Sequence, residues 1–218
     1  MAESYQTEEE QVEALKKWWK ENGKSTIITI VVAIAAVYGW RGWQGQQQTE
    51  IEAASAVYQN LLSVSDGNLT AEQLTTAHHL VDTLKQDFPK STYAHFGALY
   101  KAKFAVEKND LEAAEKELRW VLETDTSLEL TLQTKLRLAR VLSAQDKYDE
   151  ALAQLSVDAS GYAAAFEEVK GDIYLAQEKT SQARLAYQKA TELGQQEEGE
   201  RPVRSSLLNM KLQQLNSD

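Results

Sequence analysis

The chain has 218 residues, a formal net charge of −10, 43% hydrophobic residues and no cysteine. The lack of cysteine excludes disulfide bonds and thiolate metal sites. The acidic balance, with no dense Lys/Arg cluster after residue 43, argues against a nucleic-acid-binding protein. Because there are only two prolines and many strong helix formers, we predict an all-α protein with one sizeable domain.

Residues 1–24 form the first predicted segment, which is polar at its start and amphipathic over residues 8–22. Its apolar side chains recur at helical spacing, as Val12, Leu15, Trp18 and Trp19 do. Two interpretations remain open for this helix. It is either an interfacial helix that leads into a membrane span, or a docking handle for a cytoplasmic or membrane partner.

Residues 25–43 are predicted to be a transmembrane anchor. No charged residue occurs between Lys24 and Arg41. The uncharged run rises about 24 Å as a helix, and tryptophans on both flanks extend it toward the roughly 30 Å of a hydrocarbon core. The predicted anchor residues are Ile27, Ile28, Ile30, Val31, Val32, Ile34, Val37, Tyr38, Trp40 and Trp43.

Two alternatives to a retained anchor remain open. The apolar run could be the buried core helix of a globular protein, although such helices rarely have aromatic pairs at both ends. It could also be a cleaved signal peptide, with Ala33-Ile34-Ala35 as the small-residue cleavage site. The long acidic region before the run and its continuation to Tyr38 both favour an anchor.

The positions of lysine and arginine predict the orientation of the anchor. Four lysines precede it, at positions 16, 17, 20 and 24, whereas its rear flank has Arg41 alone. Because positively charged flanks stay in the cytoplasm, residues 1–24 are predicted to be cytoplasmic and the large domain to lie across the membrane.

Residues 44–49 form an uncharged juxtamembrane joint, and residues 50–218 form a polar, alanine-rich domain. Turn chemistry divides this domain into short segments, as at Phe88-Pro89-Lys90-Ser91. The predicted helices cover residues 49–64, 70–86, 92–107, 110–123, 128–144, 147–156, 162–177, 180–193 and 202–216.

Three of the predicted hairpins share a spacing of small residues. In each, a small residue lies twelve positions before an alanine, and the pairs are Ala102 and Ala114, Ala139 and Ala151, and Gly171 and Ala183. Small residues let two helices approach where they cross. The alanines recur at intervals that bracket about 34 residues, the period of the tetratricopeptide repeat. We therefore predict a tetratricopeptide-like helical-hairpin solenoid with a C-terminal capping helix, and an irregular helical bundle is the alternative.

In such a solenoid, the first helices of successive hairpins line a concave groove. If the repeat register is right, the groove is lined by Phe96, Leu99, Lys103, Glu107, Gln133, Leu136, Arg140, Glu168, Asp172 and Leu175. This mixture of apolar and charged side chains suits an extended or helical polypeptide better than a small metabolite. Some of these side chains could instead pack beneath neighbouring helices.

No motif for catalysis, metal binding or cofactor binding accompanies the groove. His78 and His79 are adjacent on a predicted helix, so their side chains point about 100° apart and cannot bind one metal ion together. His95 has no candidate ligand near it in the sequence. We therefore predict a protein without a cofactor that is not an enzyme and acts by binding.

Four stretches carry a resemblance to a known family. They are Glu10-Gln11-Val12-Glu13-Ala14-Leu15-Lys16-Lys17, Glu21-Asn22-Gly23-Lys24, Gly39-Trp40-Arg41-Gly42-Trp43 and Asn209-Met210-Lys211-Leu212-Gln213-Gln214-Leu215. They resemble the YfgM-type ancillary subunits of the bacterial Sec translocon, and the likeness in layout covers nearly the whole chain. The pair Trp18-Trp19 and the isoleucine-rich span depart from the family, but both suit a lipid environment.

The resemblance implies a single-pass protein of the bacterial inner membrane, with a cytoplasmic N-terminus and a periplasmic repeat domain at residues 50–218. The implied partners are the Sec translocon channel subunits, a membrane-anchored periplasmic peptidyl-prolyl isomerase-type chaperone, unfolded secreted polypeptides and the lipid bilayer. The implied function is a scaffold or chaperone that helps pass secreted proteins to periplasmic chaperones. The alternatives are an adaptor for another envelope complex and a negative regulator of an envelope-stress response.

Overall fold

The computed structural model describes residues 8–65, 67, 69–159, 161–196 and 202–217. This part of the chain is helical and contains no β-strand, which confirms the all-α fold class. Its contacts define two compact units, one that ends at Glu52 and one that begins at Ala53. The helices are α1 (Glu8–Val64), α2 (Ala71–Asp87), α3 (Thr92–Glu107), α4 (Leu111–Glu123), α5 (Leu128–Ala144), α6 (Tyr148–Gln154), α7 (Ala163–Ala176), α8 (Thr180–Gln196) and α9 (Pro202–Ser217).

Helix α1 is longer than the sequence predicts. Separate helices were expected at 8–22 and 49–64, but α1 continues without interruption through residues 44–49. Side-chain hydrogen bonds one turn apart support the helix there, because Gln48 donates to Glu52 (2.9 Å) and Thr49 donates to the Gly45 carbonyl (3.0 Å). The expectation of separate helices is therefore wrong, because uncharged glutamines are good helix formers even without apolar periodicity.

The remaining helices begin and end close to the predicted residues, and α3 and α5 match their predicted bounds. Side-chain caps define their starts. The hydroxyl of Ser91 accepts a hydrogen bond from the Tyr93 amide, and the carboxylate of Asp110 accepts one from the Ala113 amide (3.0 Å). The hydroxyl of Ser127 accepts from the Leu130 amide (3.3 Å). Each cap satisfies an amide that has no partner within its own helix.

Every small residue predicted to lie at a helix crossing is buried. Gly171 shows why size matters, because a methyl group at this position would overlap with ring carbons of Tyr187 on α8. The crossing residues are Ala102, Ala114, Ala139, Ala151, Gly171 and Ala183. Ala102 is 3% exposed, and the other four alanines are fully inaccessible to solvent. The burial of all six residues agrees with the predicted crossings.

Three hairpin turns share one backbone conformation. Asn109, Asp146 and Glu178 each have a positive φ, of 58°, 60° and 60°. Each lies five residues before a crossing alanine. In each turn an amide closes back on the preceding helix, as Lys179 does by donating to the Tyr174 carbonyl (2.9 Å). The repeat is thus visible in the turns as well as in the crossings.

The C-terminal helix α9 packs on the last hairpin, as predicted for a capping helix. Leu208 and Leu215 are almost fully buried and cluster with Ala183, Tyr187 and Ala190 of α8. Arg184 also donates a hydrogen bond to the Leu215 carbonyl (2.5 Å). Because α9 covers an apolar face that would otherwise face solvent, it closes the end of the helical stack.

An ion-pair network that the sequence does not reveal lies among α2, α3 and α4. Glu117 of α4 is buried, and its carboxylate lies 2.6 Å from the Lys85 ammonium and 3.6 Å from that of Lys101. Lys101 also pairs with Asp82 at 2.6 Å. A buried carboxylate requires such partners, because removing them would leave an uncompensated charge.

Candidate functional site

The predicted anchor residues are all exposed in the first unit. Their exposed fractions range from 51% at Ile27 to 71% at Tyr38. Among the described residues, α1 is the one helix that is long and apolar enough to cross a membrane, and only 6% of its most apolar stretch is buried. A core helix would be covered by protein. The structure therefore disfavours the buried-core alternative, and lipid is the environment that would cover this surface.

Aromatic pairs lie on both sides of the apolar stretch. The rings of Trp18 and Trp19 are 6.3 Å apart, and those of Trp40 and Trp43 are 5.1 Å apart. All four side chains are about half exposed. Indole rings favour the headgroup region of a bilayer, so the pairs have the chemistry of two interfacial belts.

We call the exposed members of the predicted groove on α3, α5 and α7 the exposed stripe. Three of them lie on α3, and they are Phe96, Lys103 and Glu107. Phe96 is 37% exposed. Lys103 and Glu107 are both exposed and face each other at 3.6 Å, a loose pair one turn apart. Leu99 is partly buried and packs against the main core, so it supports the stripe more than it forms its surface.

The predicted groove residues of α5 have three different environments. Gln133 donates a hydrogen bond to the Tyr162 hydroxyl (2.7 Å), and Arg140 is exposed. Leu136 is only 8% exposed and belongs to the main core cluster, so it is not available to a ligand. Arg137, which is not among the predicted groove residues, is exposed on the same side of α5. Its position one turn from Gln133 and Arg140 is the signal that could have identified it.

On α7, two of the three predicted groove residues already bind another part of the chain. The ammonium group of Lys211 on α9 lies 3.1 Å from the Glu168 carboxylate and 2.6 Å from that of Asp172. Asp172 also accepts a hydrogen bond from the Tyr187 hydroxyl (2.7 Å). Burial, together with this bond, raises the pKa of Tyr187. Leu175 is 40% exposed, so it is the member of this set with the most free apolar surface.

An aromatic cluster extends the apolar part of the stripe beyond the predicted residues. The ring of Tyr58 lies 5.4 Å from that of Tyr93, 6.0 Å from that of Phe96 and 6.3 Å from that of Tyr100. Burial raises the pKa of Tyr58, so its hydroxyl stays neutral and the patch carries no charge of its own. Tyr58 and Tyr93 are far apart in sequence, which is why sequence periodicity alone does not group them.

The histidines do not form a reactive group. His95 is 2% exposed, and its ring lies 5.9 Å from that of Trp120. Burial lowers the pKa of His95, so the ring is neutral near pH 7. Within the described ranges, no three His, Cys, Asp or Glu side chains come together as metal ligands.

The chain matches the model of the tetratricopeptide repeat-like domain family over residues 16–217. Three curated relatives, all named ancillary SecYEG translocon subunit, come from Haemophilus influenzae, Escherichia coli and Neisseria gonorrhoeae. The first is 34% identical over 88% of this chain and 93% of the relative, and the second is 30% identical over 98% of both. The third is 29% identical over 95% of this chain and 97% of the relative.

The chain belongs to the tetratricopeptide repeat-like domain family. The family match begins at residue 16, ahead of the apolar stretch, so the stretch and the repeat domain fall within one pattern. No solved structure matches the chain. Within the matched range, the apolar helix comes first, and the exposed stripe lies on the tetratricopeptide-like domain that follows.

Proposed function

We propose that this protein is a single-pass ancillary subunit of the Sec translocon in the bacterial inner membrane. The main support is the combination, in one chain, of an exposed apolar helix and a helical repeat domain whose relatives are named for the translocon. A scaffold of this kind acts by holding other polypeptides, and no group of side chains described above suggests a reaction. We therefore assign it a role in binding rather than in catalysis.

The proposed orientation places residues 1–24 in the cytoplasm and the repeat domain in the periplasm. Lys16, Lys17, Lys20 and Lys24 lie on the front flank of the apolar helix, against Arg41 on the rear flank. This arrangement puts the exposed stripe on the side where secreted polypeptides emerge. A periplasm-specific reporter enzyme fused after Asp218 should be active, and an inactive fusion at normal expression would contradict the orientation.

The proposed binding surface is the exposed stripe along α3, α5 and α7. It offers apolar side chains, at Phe96 and Leu175, beside charged ones at Lys103 and Arg140. An emerging secreted polypeptide presents both kinds of group because it is unfolded. The surface therefore suits transient capture of an extended chain, which the protein would pass to periplasmic chaperones, including a membrane-anchored one of the peptidyl-prolyl isomerase type.

Purification of the full-length chain in mild detergent tests the translocon assignment. The channel subunits should co-purify at a fixed ratio. A matched variant, in which residues 25–43 are replaced by an unrelated apolar helix of equal length, keeps the tether and reports whether the span itself makes the contact. Failure of the natural protein to recover channel subunits, while it is membrane-bound and folded, would refute the assignment.

Photo-crosslinking during secretion tests the groove. A photoreactive residue at Phe96 should form crosslinks to a secreted polypeptide that is arrested in the channel. The same residue at Leu185, which is 67% exposed on α8 outside the stripe, is the control. Equal crosslinking from both positions would show that the stripe is not the site of capture.

A further inference from the structure

Arg137 and Arg140 of α5 form a pair of exposed cations that no carboxylate neutralises in the described part of the chain. Both belong to the exposed face of α5, and they lie three residues apart, so their side chains are neighbours. Neither one makes an ion pair or a hydrogen bond within the ranges that the structure describes. In a protein with a net charge of −10, two adjacent cations without a partner are not a consequence of composition.

The other arginines of the repeat domain behave differently wherever their side chains are described. Arg119 lies 2.7 Å from the Glu115 carboxylate and 2.8 Å from that of Glu150. Arg184 donates to the Leu215 carbonyl (2.5 Å). These two guanidinium groups have internal partners that hold helices together, so a structural role explains them. No such role explains the pair on α5.

The described carboxylates of α5 and α7 contact partners other than the arginine pair. On α5 itself, Glu129 accepts a hydrogen bond from the Tyr162 hydroxyl (3.2 Å). On α7, Glu168 and Asp172 lie against the ammonium group of Lys211. These contacts leave Arg137 and Arg140 as two positive charges on the exposed face of α5.

Keeping two like charges one helical turn apart costs free energy. Desolvation and the positive charge of Arg140 both lower the pKa of Arg137. An anion placed between the two groups would relieve this repulsion. Guanidinium groups bind carboxylates in a two-pronged geometry, and they lose less hydration than an ammonium group does on binding.

We propose that Arg137 and Arg140 bind the carboxylate side chains of an acidic segment in a polypeptide held by the stripe. The proposal rests on the proposed function, because it assigns part of the same surface. A narrow peptide fits the charge pattern better than an anionic membrane does. A broad anionic surface would also meet Glu129, whose hydrogen bond from the neutral Tyr162 hydroxyl leaves its negative charge in place, whereas a peptide can avoid it.

Two synthetic peptides and two double variants test the proposal. The full-length protein is placed in nanodiscs of zwitterionic lipid and titrated with a fluorescent twelve-residue peptide that contains leucines and two adjacent glutamates. Its twin has glutamines in place of the glutamates. The double variant R137Q/R140Q removes the pair, and K90Q/K179Q, which changes two exposed lysines outside α5, is the control for net charge.

An exposed ion pair of about 0.7 kcal/mol contributes about threefold in affinity, so two such pairs together should give about tenfold. The natural protein and K90Q/K179Q should therefore bind the glutamate peptide about tenfold more tightly than the glutamine peptide. R137Q/R140Q should bind both peptides equally, and at unchanged helicity and melting temperature. The preference should shrink when the salt concentration rises from about 0.05 M to about 0.5 M.

Three results would overturn the inference in distinguishable ways. Equal binding of both peptides to the natural protein would refute the role of the arginines but leave the groove intact. Binding of neither peptide would refute the groove and the inference with it. A third titration uses vesicles with a phosphatidylglycerol content of about 30%; if R137Q/R140Q weakens vesicle binding but not peptide binding, the pair recognises lipid and the proposal is wrong.

Discussion

Replacing Gly171 by alanine tests how closely α7 and α8 cross. A methyl group at this position would overlap with the ring of Tyr187, which is fully buried. The ring has little room to move, because its hydroxyl donates to Asp172 at 2.7 Å. The new methyl group must therefore displace a helix or break that hydrogen bond.

The magnitude follows from three contributions. Alanine gains about 1 kcal/mol over glycine within a helix. Overpacking a rigid core site costs about 1–3 kcal/mol, and loss of the hydrogen bond to a charged group costs about 1.5 kcal/mol more. The free energy of unfolding should therefore fall by about 1.5–3.5 kcal/mol. For a domain of this size, the corresponding fall in melting temperature is about 3–14 °C.

Gly97 provides a matched control on α3. A methyl group there would lie 3.1 Å from Leu84 Cδ1 and 3.5 Å from the two γ carbons of Val81. The Val81 distances are ordinary van der Waals contacts, and the Leu84 methyl group has to move by only a few tenths of an ångström, so Gly97→Ala should change the free energy of unfolding by less than about 1 kcal/mol. The two variants share the same helix-propensity gain and differ mainly in what the methyl group meets.

Thermal unfolding of the full-length protein, followed by circular dichroism at neutral pH, measures both variants. Gly171→Ala should also be combined with Tyr187→Leu, which removes the ring. In that background the alanine should be neutral or slightly stabilising. A melting temperature for Gly171→Ala within about 1 °C of the natural protein, or an undiminished loss in the leucine background, would refute the close crossing.

Three further predictions concern other parts of the chain. Glu178→Gly should raise the free energy of unfolding by about 0.5–1 kcal/mol, because φ is 60° at this turn; an unchanged melting temperature would contradict this. Burial would raise the pKa of Glu115, but hydrogen bonds from Lys147 and Arg119 outweigh burial and hold this pKa below its usual value. The stability that Glu115 contributes is therefore present above the ordinary glutamate pKa and is lost as pH falls through the lowered pKa. The natural protein should melt at a higher temperature than Glu115→Gln at neutral pH, and this difference should disappear in acid. Val31→Lys should cost about 3 kcal/mol of membrane insertion and release protein into an alkaline carbonate wash, whereas retention equal to that of the natural protein would argue against a span at this position.

The helix bounds could be predicted well from the sequence because their signals are local. Ser91, Asp110 and Ser127 cap helices through bonds to amides two or three residues away. The failure at residues 44–49 has a local cause too. The absence of apolar periodicity there predicts the end of a helix, but a helix exposed on all sides needs no apolar stripe when its residues are good helix formers.

The groove was less predictable because its members depend on contacts across the fold. Leu136 follows the same spacing as Arg140, yet it lies in the core. Asp172 is predicted to line the groove, as Lys103 is, but its carboxylate forms an ion pair with Lys211 of α9. The sequence indicates which face of a helix points toward the groove and does not indicate which side chains on that face another helix will cover.

By itself, the sequence determined the helix boundaries of the repeat domain, the small residues at the crossings and the apolar stretch from Ile27 to Trp43. These features depend on neighbours along one helix or on a regular spacing, both of which can be read from residue order. Only the tertiary structure decided that Glu117 is buried between two lysines and that the arginine pair of α5 has no internal partner. The pairing of a charge depends on which helices the fold brings beside it, and residues far apart in the chain supply those helices.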